Sequence, residues 1–319
     1  MNKQNTIIDF KDLLNTYSAR IPKKQLEILK LRRWLPIKKN SKLTKEYAYL
    51  IGKIMGDGHL KKNFNITFSG QKEEIENLKI LISKNYNLKD NKFSIEFKIA
   101  LGTCYALNVK DSLLGRILFS LGAPKGNKTK QEFLIPDWIH NSKENSKMFL
   151  KGLLEDELTT IKIEKSNYSI KPRLKLAKEE KLLPNLRIFL NQVKFLIEKF
   201  NVKCSNISPH ATCKKGQKTK ELYFHINRNK DNIIRFAKNI GFRVTTEKIT
   251  QLNKCLDILE KTRYNRKPFI DKTRILNLRK QGFSIRQISK IVNLNKNSVH
   301  RVLSRNNMRG RGVSQTLIG

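Results

Sequence analysis

The chain has 319 residues, 39% of them hydrophobic, and carries 66 Lys and Arg against 27 Asp and Glu, a formal charge of +39. That length allows two or three domains with a buried core, and so large a charge repels itself unless a polyphosphate such as DNA or RNA neutralises it. No apolar run reaches membrane-spanning length and no basic amphipathic anchor stands out; Cys104, Cys204, Cys213 and Cys255 form no Cys-x-x-Cys pair, which argues against zinc and for a reducing cytoplasm.

Residues 1–45 are basic and broken by Pro22 and Pro36; they read as an N-terminal extension, either solvated or in contact with nucleic acid. Tyr47 to Asp57 reads as a helix closing near Gly58, a residue suited to a left-handed cap. Asn65 to Ser69 alternates as a strand, Glu73 to Tyr86 reads as a helix, and Lys92 to Ile99 alternates over its whole length. In that last strand Phe93, Ile95, Phe97 and Ile99 share one face, expected to pack on helices, and Lys92, Ser94, Glu96 and Lys98 share the other. A strand from Cys104 to Lys110 and a helix from Ser112 to Leu121 follow. Gly122 to Asn145, rich in lysine, reads as a linker.

The same order recurs after Gly152. Ile161–Ile163 and Arg173–Leu176 read as strands. Leu186, Leu190, Val193, Ile197 and Phe200 mark one face of a long helix with Pro184 in its first turn. Strands follow around Val202–Thr212 and Glu221–Arg228, joined by a turn at Lys214–Lys218, and a helix from Asp231 to Ile240 closes the copy. Each copy is helix, strand, strand, helix, strand, strand, helix.

The last segment begins with a helix from Asp271 to Gln281, ended by Gly282. Ser284 and Gln287 make a capping box for a short helix to about Val292. Asn293 to Asn295 turns the chain into another helix, Lys296 to Ser304. Two short helices joined in this way form a helix-turn-helix with Ile288, Ile291, Leu294, Val299 and Val302 as its core. Asn295, Lys296, Asn297, His300, Arg301 and Arg305 crowd the third helix as DNA contacts. The tail from Arg309 reads as disordered.

Chemistry concentrates in two segments, Leu50-Ile-Gly-Lys-Ile-Met-Gly-Asp-Gly58 and Leu150-Lys-Gly-Leu-Leu-Glu-Asp-Glu-Leu158. In each an acid lies five residues after a glycine, Gly52 to Asp57 and Gly152 to Glu157, and the copies are 100 residues apart. Glu155 and Asp156 stand nearby, but only Glu157 keeps the register. Two carboxylates brought to one point are the minimum equipment for holding divalent metal against a phosphodiester.

Tyr49 to His59 resembles the first signature of the LAGLIDADG (dodecapeptide, DOD-type) homing endonucleases, and Phe149 to Glu157 resembles the second. Leu121-Gly-Ala-Pro-Lys-Gly-Asn-Lys-Thr-Lys130, leading to Ile135-Pro-Asp-Trp138, is similar to the lysine-bearing segment before the second signature. The resemblance spans residues 45 to 245. It implies an α+β fold of tandem pseudo-twofold αββαββα repeats forming a DNA-binding saddle, with the helix-turn-helix as a small all-α module beside it. It also implies a monomeric enzyme in which Asp57 and Glu157 bind magnesium, each acid serving one strand. The carbonyls of Gly56 and Asp156 are the implied additional metal contacts, and Lys128 or Lys130 is the catalytic lysine. Two departures stand out: Glu157 where aspartate is frequent, and Leu158 where glycine is usual, a residue that cannot take a left-handed cap cheaply.

Strand alternation directs Asn65, Thr67, Ser94, Lys98, Lys171, Arg173, Lys175, Tyr223, His225 and Asn227 outward, toward a major groove. The expected divisions are 1–45, the extension; 46–122 and 146–245, the two repeats; 123–145 and 246–267, linkers; 268–307, the helix-turn-helix; and 308–319, the tail. The ends lack the splicing residues of an intein, so the chain reads as free-standing. The function expected is site-specific cleavage of double-stranded DNA at a long asymmetric site. The rivals are a DNA-binding regulator without cleavage and a maturase acting on intron RNA.

Overall fold

The computed structural model describes residues 6–8, 23–39, 41–99, 104–162, 172–210, 219–261, 271–292 and 294–306. Lys171, Ile163, Cys213, the turn Lys214–Lys218, Asn293 and residues 307–319 lie outside them. Two compact units are present, Met1–Thr262 and Arg263–Gly319.

The first unit opens with β1 (Thr6–Ile8), α1 (Lys23–Leu31) and β2 (Ile37–Lys38), β1 pairing antiparallel with β2. Leu29, Trp34 and Ile37 are buried. Arg32 lies 4.6 Å from the Trp34 ring and 2.8 Å from the Asp111 carboxylate. Trp34 meets Tyr86 edge-on. Residues 29–37 therefore seal the core and are not a solvated extension; apolar side chains between the basic ones make that burial favourable.

Helix α2 (Lys42–Met55) starts where the Ser41 hydroxyl accepts the Thr44 N–H. It leads through β3 (His59–Leu60) and β4 (Ile66–Gly70) to α3 (Lys72–Tyr86), then β5 (Phe93–Lys98), β6 (Cys104–Val109) and α4 (Ser112–Ser120). The strands form an antiparallel sheet in the order β3-β4-β6-β5. Asp111 caps α4 through the Leu114 N–H. A 3-10 turn at Lys128–Lys130 and α5 (Asp137–His140) lead to α6 (Lys143–Glu157), β7 (Arg173–Glu179), α7 (Leu183–Glu198), β8 (Ser208–Pro209), β9 (Thr219–His225) and α8 (Lys230–Asn239). The second sheet runs β7-β9-β8, again antiparallel, and Leu158 bridges Leu174 as β3 pairs with β4. The strand expected over Val202–Thr212 shrinks to β8 and an isolated bridge from Cys204 to Ile226. Residues 246–261, expected as linker, are a helix, α9 (Thr246–Lys261), whose Leu252, Cys255 and Leu259 recur at helical spacing and are buried.

At the centre α2 lies against α6. Every residue of α2 from Glu46 to Met55 is buried. A Cβ on Gly52 would sit 2.2 Å from the Phe149 carbonyl oxygen, and one on Gly152 would sit 2.2 Å from that of Tyr49. The second contact is the first with the two helices exchanged. No side chain fits there, so the backbones themselves touch.

Two expectations change. Gly58 is not left-handed: α2 closes with the Gly56 N–H on the Gly52 carbonyl, and what Gly58 supplies is space, since a Cβ would lie 2.7 Å from the Lys53 oxygen. Leu158 is extended (φ −83, ψ 129) and buried, so its side chain suits the position. On β5, Ile95, Phe97 and Ile99 are exposed. It is the edge strand, and its apolar face runs beyond the helices that cover Leu107 and Val109 of β6.

The second unit holds α10 (Lys272–Lys280), α11 (Ile285–Ile291) and α12 (Lys296–Arg305). Gly282 follows α10 with φ 90, and both bonds of the Ser284–Gln287 capping box are made. Ile275, Ile288, Leu294, Val299, Val302 and Leu303 form the core. Ile291, expected there, is exposed at the end of α11, and Ile275 and Leu303 take part instead.

Gly152→Ala should lower stability by about 2 kcal/mol or more, because the added methyl must push two backbones apart. Urea unfolding checks this; an unchanged midpoint would mean the helices are not in backbone contact.

Candidate active site at the helix junction

Asp57 follows the end of α2 and is exposed; Glu157 is the last residue of α6 and is partly buried. Burial pushes the Glu157 carboxyl up to about 8, with the Asp57 charge adding to it and Lys128 opposing. The helix contact thus brings together the two acids expected from their register.

A lysine closes each helix end. The Lys128 amine donates to the carbonyls of Ile54 and Gly58, both at 2.8 Å, and to that of Gly56. Burial lowers its pKa below the ordinary lysine range, with Glu157 and Asp57 opposing. Lys130 is exposed and 3.9 Å from Glu179, away from the acids, so the junction takes Lys128 of the two. At α6 the counterpart is Lys248, donating to the Leu158 carbonyl at 2.6 Å, to that of Asp156 at 3.4 Å and to that of Glu155. Burial lowers its pKa as well. These carbonyls are orphans of the helix ends, and each amine satisfies several of them.

Sequence reasoning missed Lys248. A signal existed: Gly122 and Gly241, both with positive φ, close the last helices of the two copies, and a lysine follows each after six and seven residues. The carbonyls of Gly56 and Asp156 both accept from these lysines, which leaves each a second lone pair.

The other two acids of the second segment turn elsewhere. Glu155 is buried and accepts from the Tyr49 hydroxyl at 2.5 Å, from the Val244 N–H at 2.7 Å and from the Arg243 N–H. Asp156 pairs with Lys53, which also lies 2.9 Å from Glu74, and accepts the Asp57 N–H at 3.2 Å. Burial raises the Asp156 carboxyl to about 7, with Lys53 opposing. Its Cβ fills the space at Gly56, where another Cβ would lie 2.8 Å away.

On the second sheet Arg173, Lys175, Tyr223 and His225 alternate with buried Leu174, Leu222, Phe224 and Ile226. Arg173 lies 5.7 Å from the Tyr223 ring and 3.3 Å from His210, a residue the sequence did not single out. Lys175 lies 2.9 Å from Glu221. Asn227 is partly buried and donates its N–H to the Lys203 carbonyl. On the first sheet Lys98 is exposed and Asn65 and Ser94 are partly buried. Thr67, expected outward, is buried and donates to Asn108 at 2.8 Å; Asn108 in turn binds Glu96 and Lys61, which cover it. In the second unit Asn295, Lys296, Asn297, His300, Arg301 and Arg305 are all exposed, though the Asn295 side chain caps α12 through the Ser298 N–H.

No protein-family profile matches the chain. It is 29% identical over 257 residues to the DNA-directed RNA polymerase subunit Rpo1N of Methanocaldococcus jannaschii, covering 75% of this chain and 19% of that protein. It is 26% identical over 263 residues to the tRNA-splicing ligase RtcB of Methanopyrus kandleri, covering 77% of this chain and 25% of that one. It is 27% identical over 210 residues to the replication factor C small subunit of M. jannaschii, covering 62% and 11%. The chain thus spans a quarter or less of these relatives. Among solved structures it is similar to the homing endonuclease I-WcaI bound to its DNA recognition sequence (TM-score 0.44, 15% identity, 75% of this chain and 97% of that one). It is similar also to I-DmoI in complex with DNA and Ca (0.39, 17%, 66% and 98%) and to full-length DUF199/WhiA of Thermatoga maritima (0.40, 16%, 84% and 92%).

Because Glu157 is raised on folding, its contribution is full below its unfolded value near 4.5 and is lost as pH rises through about 8. Glu157→Gln should therefore be more stable than the parent at pH 8.5, by up to about 5 kcal/mol in a chelator, and gain nothing at pH 4. Thermal melts at the two values check this; equal gains would mean that folding does not raise the Glu157 carboxyl.

Proposed function

We propose that the chain is a site-specific endonuclease of the homing type, hydrolysing double-stranded DNA with a divalent metal, magnesium, at a long asymmetric site. The observation that carries this reading is the junction itself: Asp57 and Glu157, one from each helix, with a partly buried lysine on each helix end. The donor set fits a hard cation. Two carboxylates and the carbonyls of Gly56 and Asp156 are all oxygen donors, and a cation would offset both the burial and the Asp57 charge that raise Glu157. Among the described residues no group of three or more His, Cys, Asp or Glu side chains is placed to hold a metal ion. Two acids suffice where DNA phosphate and water complete the shell, as is usual for magnesium. When bound, the metal supplies a Lewis acid and a water of lowered pKa.

The residues of the chain do the rest. Asp57 and Glu157 each serve one strand and set where the scissile phosphate lies. Lys128 and Lys248 bind the carbonyls on either side of the two acids and offset negative charge as it develops on the phosphate. The tandem αββαββα copies present their polar sheet faces to the major groove, and the second unit adds a helix-turn-helix contact. Both acids lie in one chain, so a monomer suffices. Relatives named for three different activities share with this chain only a minor part of their length; what they share is best read as a separable module, not the activity in any of their names. A regulator that only bound DNA would keep the basic faces but has no use for two acids and two partly buried lysines at one point.

The test is incubation with a randomised duplex library and magnesium, followed by sequencing of cut ends. Asp57→Asn should reduce cleavage at least ~100-fold and leave binding within a few-fold, since it removes charge at constant shape. Cleavage at the parental rate would sink the assignment.

Removal of residues 263–319 should weaken specific binding, shorten the footprint on one flank, and make the salt dependence shallower by ~0.9 in log–log slope for each phosphate that is no longer neutralised. The first unit has its own core, so its melting should persist. An unchanged footprint and slope would show that the second unit does not touch DNA.

A further inference from the structure

Each lysine-bearing segment is stretched between the two halves of the first unit. The segment of Lys128 starts on the first half, where the Gly126 N–H reaches the Leu60 carbonyl at 2.8 Å. It ends on the second. The Lys178 amine donates to the Gln131 carbonyl at 2.8 Å and to Asn185, and lies 3.9 Å from the Phe133 ring. Asn185 accepts the Phe133 N–H at 3.3 Å, and Gln192 accepts the Ile135 N–H at 2.9 Å. The segment of Lys248 starts on the second half, with the N–H groups of Arg243 and Val244 on Glu155. It ends on the first. The Arg243 guanidinium grips Glu46 with two bonds, at 2.8 and 3.0 Å, over the Tyr49 ring, and Thr245 donates to Glu74 at 2.9 Å. Lys178 is buried although it is a lysine, and Glu46 is buried although it is an acid. Groups so costly to bury persist where they hold something in place.

We propose that Lys178 and Arg243 are positioning residues of the active centre: each ties the segment whose lysine closes one helix end to the half of the molecule across from where that segment starts, Lys178 holding the Lys128 segment to the second half and Arg243, through Glu46, holding the Lys248 segment to the first. The proposal rests on reading the junction as a nuclease centre. Its consequence is that each half-site is assembled by both repeats, so a change in either repeat reaches the lysine serving the other.

Trace acylation with acetic anhydride, read by mass spectrometry at each lysine of the full chain, tests the anchoring without any need for activity. Lys178→Met should raise labelling of Lys128 about fivefold, the population change expected from removing one net hydrogen bond, and leave Lys248 unchanged. Lys178→Arg, which keeps a donor, should restore protection. Arg243→Met should raise Lys248 and leave Lys128. If that variant folds poorly because Glu46 is left charged and unpaired, the double change Glu46→Gln with Arg243→Met removes both charges and must give the same pattern. Labelling that rises at both lysines together, or at neither, overturns the proposal. In the cleavage assay with both strands end-labelled, Lys178→Met should slow one strand at unchanged DNA affinity, and add nothing to Lys128→Met. Equal slowing of both strands overturns it as well. A parent that cuts no DNA would instead sink the nuclease reading, and the labelling pattern would still decide the anchoring.

Discussion

The arrangement depends on the contact between the backbones of α2 and α6. With Gly52 against the Phe149 carbonyl and Gly152 against that of Tyr49, the helices approach more closely than any side chain allows. Two helices that touch along their glycines converge at their C-terminal ends, and the first residues free of that contact are the acids. Close approach also buries carbonyls that a solvent-exposed helix end would leave to water. An unsatisfied buried carbonyl is costly, so each end requires a donor long enough to reach several oxygens at once. Lys128 and Lys248 meet that requirement, and they thereby stand beside Asp57 and Glu157.

Electrostatics sort the acids of the junction. The chain as a whole is strongly basic, yet Glu46, Asp57, Glu74, Glu155, Asp156 and Glu157 gather around one axis. Four of these have partners within the protein: Glu46 with Arg243, Glu74 and Asp156 with Lys53, Glu155 with the Tyr49 hydroxyl and two backbone donors. That pairing leaves Asp57 and Glu157 facing each other. Lys53 with Asp156 is also asymmetric, because the matching positions in the other helix are Leu153 and Gly56. A pair of identical first segments would leave Lys53 with Glu74 alone, and a pair of second segments would bury Asp156 without a base, so the bridge favours one helix of each kind.

Much of the fold was legible along the chain, and the limits have physical causes. The alternation over Arg173–Lys175 and Leu222–Ile226 was reliable because β7 and β9 pair with each other along their length and β9 is paired on both edges. The same alternation misled at β5, an edge strand whose apolar side chains outrun their cover, and at Thr67, which faces the polar side but lies beneath Asn108 and Lys61. The segment after residue 245 reads as linker because charged residues dilute its apolar spacing; it is a helix, with Leu252, Cys255 and Leu259 buried along one face.

Local chemistry in the sequence determined the capping box at Ser284, the helix and strand periods, the basic charge and the register from glycine to acid that singles out Asp57 and Glu157. These depend on neighbours a few residues away, and such neighbours are visible in a linear chain. Tertiary structure alone decided that Lys128 and not Lys130 reaches the junction, that Lys53 and Lys178 are held inside, and that Arg243 is partly buried against Glu46. Charged side chains read as surface in any pattern of hydropathy. Their burial follows from partners about 50 to 200 residues distant in sequence, and only the close packing of two helices brings those partners within reach.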